Sequence, residues 1–184
     1  DGDGVCEVIP NCPAMPVKVI RRDRDEQGKG AGAFTMHQLT DEPQGHGMGF
    51  GDITGNGRMD IVLNGGWLEA PADGLEGAWE MHAEFDLGGP ASCPILVHDV
   101  NGDGLNDIIV GMGHDYGLAW WEQRREANGQ RSWIKHDIDP DRSQYHDLQL
   151  ADIDNDGELE LVTGKRYRAH CGNDPGSEDP IGVY

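Results

Sequence analysis

Positive charge is scarce in this chain: 14 Lys and Arg stand against 34 Asp and Glu, a formal net charge of −20 over 184 residues. That balance argues against a nucleic-acid backbone as partner, because such recognition rests on clustered basic side chains. Long apolar runs are missing too, and no segment approaches the roughly 18 consecutive apolar residues of a membrane span. Cysteine is sparse, and Cys6, Cys12, Cys93 and Cys171 do not settle the redox compartment. Cys6 and Cys12 bracket a predicted strand whose extended length holds them apart, which argues against a local disulfide. Glycine is abundant at 28 residues. It gathers at turns between strand-like segments, so the composition describes tight turns and not disorder.

What is present is a repeated acidic motif. DITGNGRMD at 52–60, DVNGDGLND at 99–107 and DIDNDGELE at 152–160 share one frame, and the opening DGDGVCE fits it with Asp1 third and Glu7 ninth. Oxygen-bearing side chains at positions 1, 3, 5 and 9, with Gly at 6 for the turn, are what a hard cation such as Ca²⁺ needs to be wrapped by one short loop. The expected ligands are Asp52, Thr54, Asn56 and Asp60 with the Arg58 carbonyl, and Asp99, Asn101, Asp103 and Asp107 with the Leu105 carbonyl. The third loop offers Asp152, Asp154, Asp156 and Glu160 with the Glu158 carbonyl, and the truncated copy Asp1, Asp3 and Glu7. An EF-hand is excluded, since position 12 is Leu63, Val110 or Thr163 where that motif requires a bidentate Glu. Much of the net charge is therefore ligand, and three filled loops would restore about six positive charges. Fewer carboxylates mean weaker binding, so the expected order of affinity is the loop at 152, then 99, then 52.

Each motif is preceded by a strand-like segment (MGFG, ILVH, LQLA) and followed by an apolar one (IVLN, IIVG, LVTG). The loops thus join strands, not helices. The first Asp recurs at 52, 99 and 152, spacings of 47 and 53 residues. A second echo places His37, His82 and His136 three residues after an aromatic, and a further strand such as VKVI (17–20) or LAWWE (118–122) lies between. About four strands per repeat at that period predict the blades of an all-β propeller. The repeats fall at approximately 1–46, 47–93, 94–146 and 147–184. With no initiator Met, a first loop lacking its start, and IGVY aligned with the beginning of GLAWWE, the expectation is a partial ring of about three to four blades from a longer domain. The recurring histidines are expected to be packing or blade-to-blade contacts.

These motifs resemble FG-GAP/VCBS repeats, the calcium-loop blades also found in the integrin α-subunit head. The resemblance covers nearly the whole chain and implies that each loop joins the innermost strand of a blade to the second. A narrower likeness, carried by GHGMGFGDITGNGRMDIVLNGGWLEAP and ADIDNDGELELVTGKRYRAH, is to propeller domains of aldos-2-ulose dehydratase type. Weak multi-carboxylate sites fill readily at millimolar calcium, which favours an extracellular or periplasmic home. Partners would then be carbohydrate or another extracellular ligand, with the other blades and domains of a longer protein.

In such an arrangement the residues six before each first Asp (His46, Cys93, His146) meet those just after each second strand. The latter are Trp67 and Glu69; His114, Asp115 and Tyr116; and Lys165, Arg166, Tyr167, Arg168 and His170. Two chemistries fit. In a lyase or dehydratase, His146 would be the base, Tyr167 the acid, and Lys165 and Arg166 the holders of anionic charge, with His114 and His170 beside them. Alternatively His46 and His146, with His114 and His170, would bind Zn²⁺ with one position open. A non-catalytic binding or adhesion module and a purely structural repeat domain stay open beside the enzyme.

Overall fold

The computed structural model describes residue 4 and residues 6–184; the loop expected at Asp1 and Asp3 lies outside the described residues. β1 (Pro16–Arg24) and β2 (Gly30–Pro43) form an antiparallel pair. β3 (Met48–Gly51), β4 (Asp60–Leu63), β5 (Gly66–Glu69) and β6 (Glu80–His82) form a four-stranded antiparallel sheet in chain order. β7 (Leu96–His98), β8 (Asp107–Gly111), β9 (Tyr116–Arg125) and β10 (Arg131–Ser143) repeat that meander, and β11 (Tyr145–Ala151) pairs with β12 (Glu160–Lys165). IGVY continues the pattern: Thr163 and Tyr184 exchange both backbone hydrogen bonds, and the Lys165 N–H donates to the Gly182 carbonyl. The strand expected between Cys6 and Cys12 is absent. Only Val8 bridges to Ile20, because Pro10 and Pro13 remove the N–H groups a ladder there would use, and all four cysteines are free thiols.

The sheets are held by the two faces of their inner strands. Alternate residues of a strand point to opposite faces, and in β4 Ile61 and Leu63 join Val17, Met48 and Leu68 on one side while Val62 joins Trp67, Phe85 and Ile95 on the other. In β8, Ile108 and Val110 enter that same second cluster, whereas Ile109 packs with Leu118, Tyr145 and Leu148. Three apolar layers thus lie between four successive sheets. This is why IVL and IIV read as continuous apolar runs: both faces are buried.

Close approach of neighbouring sheets requires small residues. β3 runs against the start of β7, with a parallel bridge from Gly49 to Ile95, and a Cβ on Gly49 would overlap the Ile95 carbonyl oxygen. Because the obstacle is backbone, no rotamer change relieves it. Gly49→Ala should lower the stability of the chain by about 3 kcal/mol or more, the upper end for overpacking, whereas Gly65→Ala meets nothing and should stay near neutral. Urea denaturation of the two variants checks this.

Candidate functional site

The acidic loops and the histidines occupy opposite ends of the same strands. Asp52 follows β3 and His46 precedes it; Asp107 opens β8 and His114 follows it; His146 opens β11 and Asp152 follows it. Backbone N–H groups fix each loop from within. The Asp52 carboxylate accepts from Gly55 (2.8 Å), Asn56 (3.0 Å) and Gly57 (2.6 Å), and Asp99 accepts from Gly102 (2.8 Å), Asp103 (3.1 Å) and Gly104 (2.8 Å). Asp152 receives Asp156 (3.2 Å) and Gly157 (3.1 Å) in the same way. The fifth residue accepts from the seventh in all three, Asn56 from Arg58, Asp103 from Leu105 and Asp156 from Glu158. The ninth reaches back to the N–H of the second: Asp60 to Ile53, Asp107 to Val100 and Glu160 to Ile153.

The three loops thus share one hydrogen-bonded turn. In the loop at 152, ligand atoms of Asp152, Asp154 and Glu160 lie within 4.8 Å of one another. Asp60 and Asp107 are completely buried. Their other bonds are also to backbone, from Ala70 (2.9 Å) and Gln123 (2.8 Å), and among the described residues neither pairs with a Lys or Arg. Burial lifts both carboxyls above the ordinary Asp value against those hydrogen bonds, and neighbouring acids (Asp52 and Glu69, or Asp103 and Asp99) push the same way. Buried, mutually repelling carboxylates with only backbone partners fit a hard divalent cation. The loop at 52 differs in holding a cation of its own, since Arg58 Nε donates to the Ala70 carbonyl (2.6 Å) and its guanidinium stands 3.4 Å from Glu69.

At the other end, His46 before β3, His114 after β8 and His146 in β11 converge, with ring centroids 4.7, 5.3 and 5.4 Å apart and one nitrogen of each within 4.8 Å of the others. The outer nitrogens of His46 and His114 have partners. His46 Nδ1 lies 2.8 Å from the Ala91 carbonyl, and His114 Nδ1 lies 2.8 Å from Asp174 Oδ2. The Ala91 carbonyl only accepts, so His46 Nδ1 carries hydrogen; at His114 the Asp174 carboxylate calls for Nδ1–H, whereas Arg166 Nη2, a donor 3.0 Å from the same nitrogen, calls for Nε2–H. The two Nε2 atoms face each other at 3.2 Å. That separation suits an Nε2–H of one ring donating to the other, and it also suits two ligands of one ion: two imidazole nitrogens on one tetrahedral zinc, at Zn–N bonds of about 2.0–2.1 Å, stand about 3.3 Å apart. Burial, then the Arg166 charge, lowers the pKa of His146; burial likewise lowers that of His114 in spite of Asp174. Neutral imidazoles are the form that ligates metal.

Arg166 donates to the Gly113 carbonyl (3.1 Å) and pairs with Asp174 (3.2 Å). His170 stacks on His114 at 4.5 Å and bonds Asp174 Oδ1 through Nδ1 at 2.9 Å. A cleft of about 470 Å³ opens beside the cluster, lined by His146, Lys165 and Arg166 with Asp147, Gln149 and Thr163. Of the residues singled out from sequence, His46, His114, His146, Arg166 and His170 come together. Lys165 is buried and directs Nζ to the Arg166 carbonyl (3.4 Å), and Tyr167 is 71% exposed, outside these hydrogen bonds. Trp67 and Glu69 do not reach this end: Trp67 is fully buried in the core and Glu69 pairs with His82. The turn after β4 is so short that these two already belong to β5. His82 and His136 stack on Trp67 and Trp120 and bond Glu69 and Glu122, contacts within one sheet and not between sheets. Asp174 escapes sequence reading because it lies outside the repeating frame.

Successive antiparallel meanders with an acidic turn between the first two strands define a β-repeat protein. Residues 99–163 match the family of FG-GAP-like repeats, and the chain carries such a repeat over that stretch. The match covers the repeat and not the narrower dehydratase likeness, and no curated protein matches the chain. Among the described residues, no helix is long and apolar enough to cross a membrane.

Proposed function

We propose that the chain is part of a calcium-stabilised, secreted propeller-type domain whose histidine end is a zinc-dependent lyase or dehydratase site for a hydroxyl-rich carbonyl sugar. The observation that carries the reading is the convergence of His46, His114 and His146, with one ring nitrogen of each within 4.8 Å of the others. His46, His114 and His146 would hold the metal, so His146 is a ligand in this arrangement and not the base. Zinc bound there would supply a Lewis acid for a substrate carbonyl or hydroxyl oxygen.

The remaining groups divide the proton and charge work. His170 Nδ1 is engaged by Asp174, which leaves Nε2 as a free acceptor able to take a proton from the carbon next to the carbonyl. Arg166, at the cleft wall, would hold the negative charge that develops on oxygen. Hydroxide leaves from the next carbon and departs as water after receiving a proton, a role open to Tyr167. Incubation with an aldos-2-ulose, followed by the ultraviolet absorbance of the conjugated enone, tests the reading. Absorbance should rise and be abolished by a zinc chelator that leaves calcium in place; turnover indifferent to chelation would sink it.

A further inference from the structure

We propose that Asp174 is a positioning residue that selects the tautomer of His114 and, through its second oxygen, aligns His170; this rests on the reading of the histidine cluster as a metal site. The carboxylate is nearly enclosed, with 12% of its side chain exposed, and its two oxygens are divided between two rings. Oδ2 holds His114 Nδ1 at 2.8 Å and Oδ1 holds His170 Nδ1 at 2.9 Å, while the rings stack 4.5 Å apart at 12°. One acceptor thus fixes an enclosed imidazole that faces the cluster and an exposed one that faces solvent.

The surroundings leave no substitute. Arg166 Nη2, 3.0 Å from His114 Nδ1, only donates, so it cannot replace the carboxylate as acceptor and works against the Nδ1–H tautomer that Asp174 favours. Without Asp174 the proton of His114 would move freely between Nδ1 and Nε2, and every Nε2–H form blocks the lone pair that the cluster needs. The chain adopts a costly conformation to place this unit: Arg168, His170 and Cys171 all take left-handed backbone angles (φ 42°, 47° and 60°) in the turn that precedes it.

Asp174→Asn keeps size and removes one acceptor oxygen. Nitrogen-correlated NMR of the metal-free chain should show His114 as the Nδ1–H tautomer in the parent and as a mixture in the variant. Competition with a chromophoric chelator should show zinc affinity reduced about 10–100-fold, the range for loss of an outer partner of a ligating His. Asp174→Glu, which keeps a carboxylate one methylene further out, should recover part of both and serves if the Asn variant does not fold. A purely structural ion pair with Arg166 would lower melting temperature and leave tautomer and affinity unchanged, and that result would overturn the proposal. If the parent binds no zinc, the metal reading fails by itself, and Asp174 is judged on the tautomer alone: a change supports it, no change rejects it.

Discussion

In EDTA the chain is expected to melt about 15–30 °C below its calcium-loaded form. A ligand at 100 times its dissociation constant stabilises the native state by about 2.7 kcal/mol per site, so three independent loops contribute about 8 kcal/mol. For a chain of this length 1 kcal/mol moves the midpoint by about 2–4 °C. That sum is comparable with the entire stability of an ordinary domain, about 5–15 kcal/mol. The cause is visible in Asp60 and Asp107, buried carboxylates that meet backbone N–H groups and other acids but no basic side chain among the described residues. Calorimetric scans with EDTA, then with Ca²⁺ restored, check the shift; equal midpoints would remove calcium from the account of this fold. Asp107→Asn should lose one calcium per chain. It should also cost about 1–3 kcal/mol in EDTA, because an amide cannot accept from both Val100 and Gln123. Titration of the parent should fill the loop at 152 first and the loop at 52 last, where Arg58 stands in the neighbourhood.

Much of this was legible because loops and strands obey short-range rules. A nine-residue frame with Gly at six dictates the turn, and the apolar triplets after it dictate a strand buried on both faces. The opposite-end set was legible for the same reason: counting six residues back from Asp52 and Asp152 gives His46 and His146, and the strand carries them to one place. Counting failed where turn length was unknown, as at Asn64–Gly65, which puts Trp67 into the core. It also failed where no repeat exists. In the first sheet Val19 stands opposite His37 where Trp67 and Trp120 stand opposite His82 and His136, so the recurring histidine lacks its stacking partner there. Asp174 has no counterpart in other repeats, and its role emerges only once the turn at 169–172 folds back over His114.

One zinc per chain should bind at the histidine end, and His46→Ala or His146→Ala should each weaken it beyond the about 100-fold limit for an outer-shell partner. Burial and the Arg166 charge favour the neutral forms of His114 and His146, the forms that ligate metal. The 3.2 Å separation of the His46 and His114 nitrogens is close to the spacing zinc would impose, and without metal it suits an N–H···N hydrogen bond. Removing one ring therefore acts unequally in the two states: it costs the empty site little more than one hydrogen bond and cripples the loaded one. Metal-free His46→Ala should melt slightly below the parent, whereas zinc should raise the parent's midpoint and leave the variant's unchanged. Calcium content should be the same in both, because the acidic loops lie at the far end of the strands. Mass-spectrometric metal analysis with paired thermal scans reads both effects; zinc binding that survives loss of either histidine would place the metal elsewhere and leave His46, His114 and His146 as a hydrogen-bonded lining of the cleft.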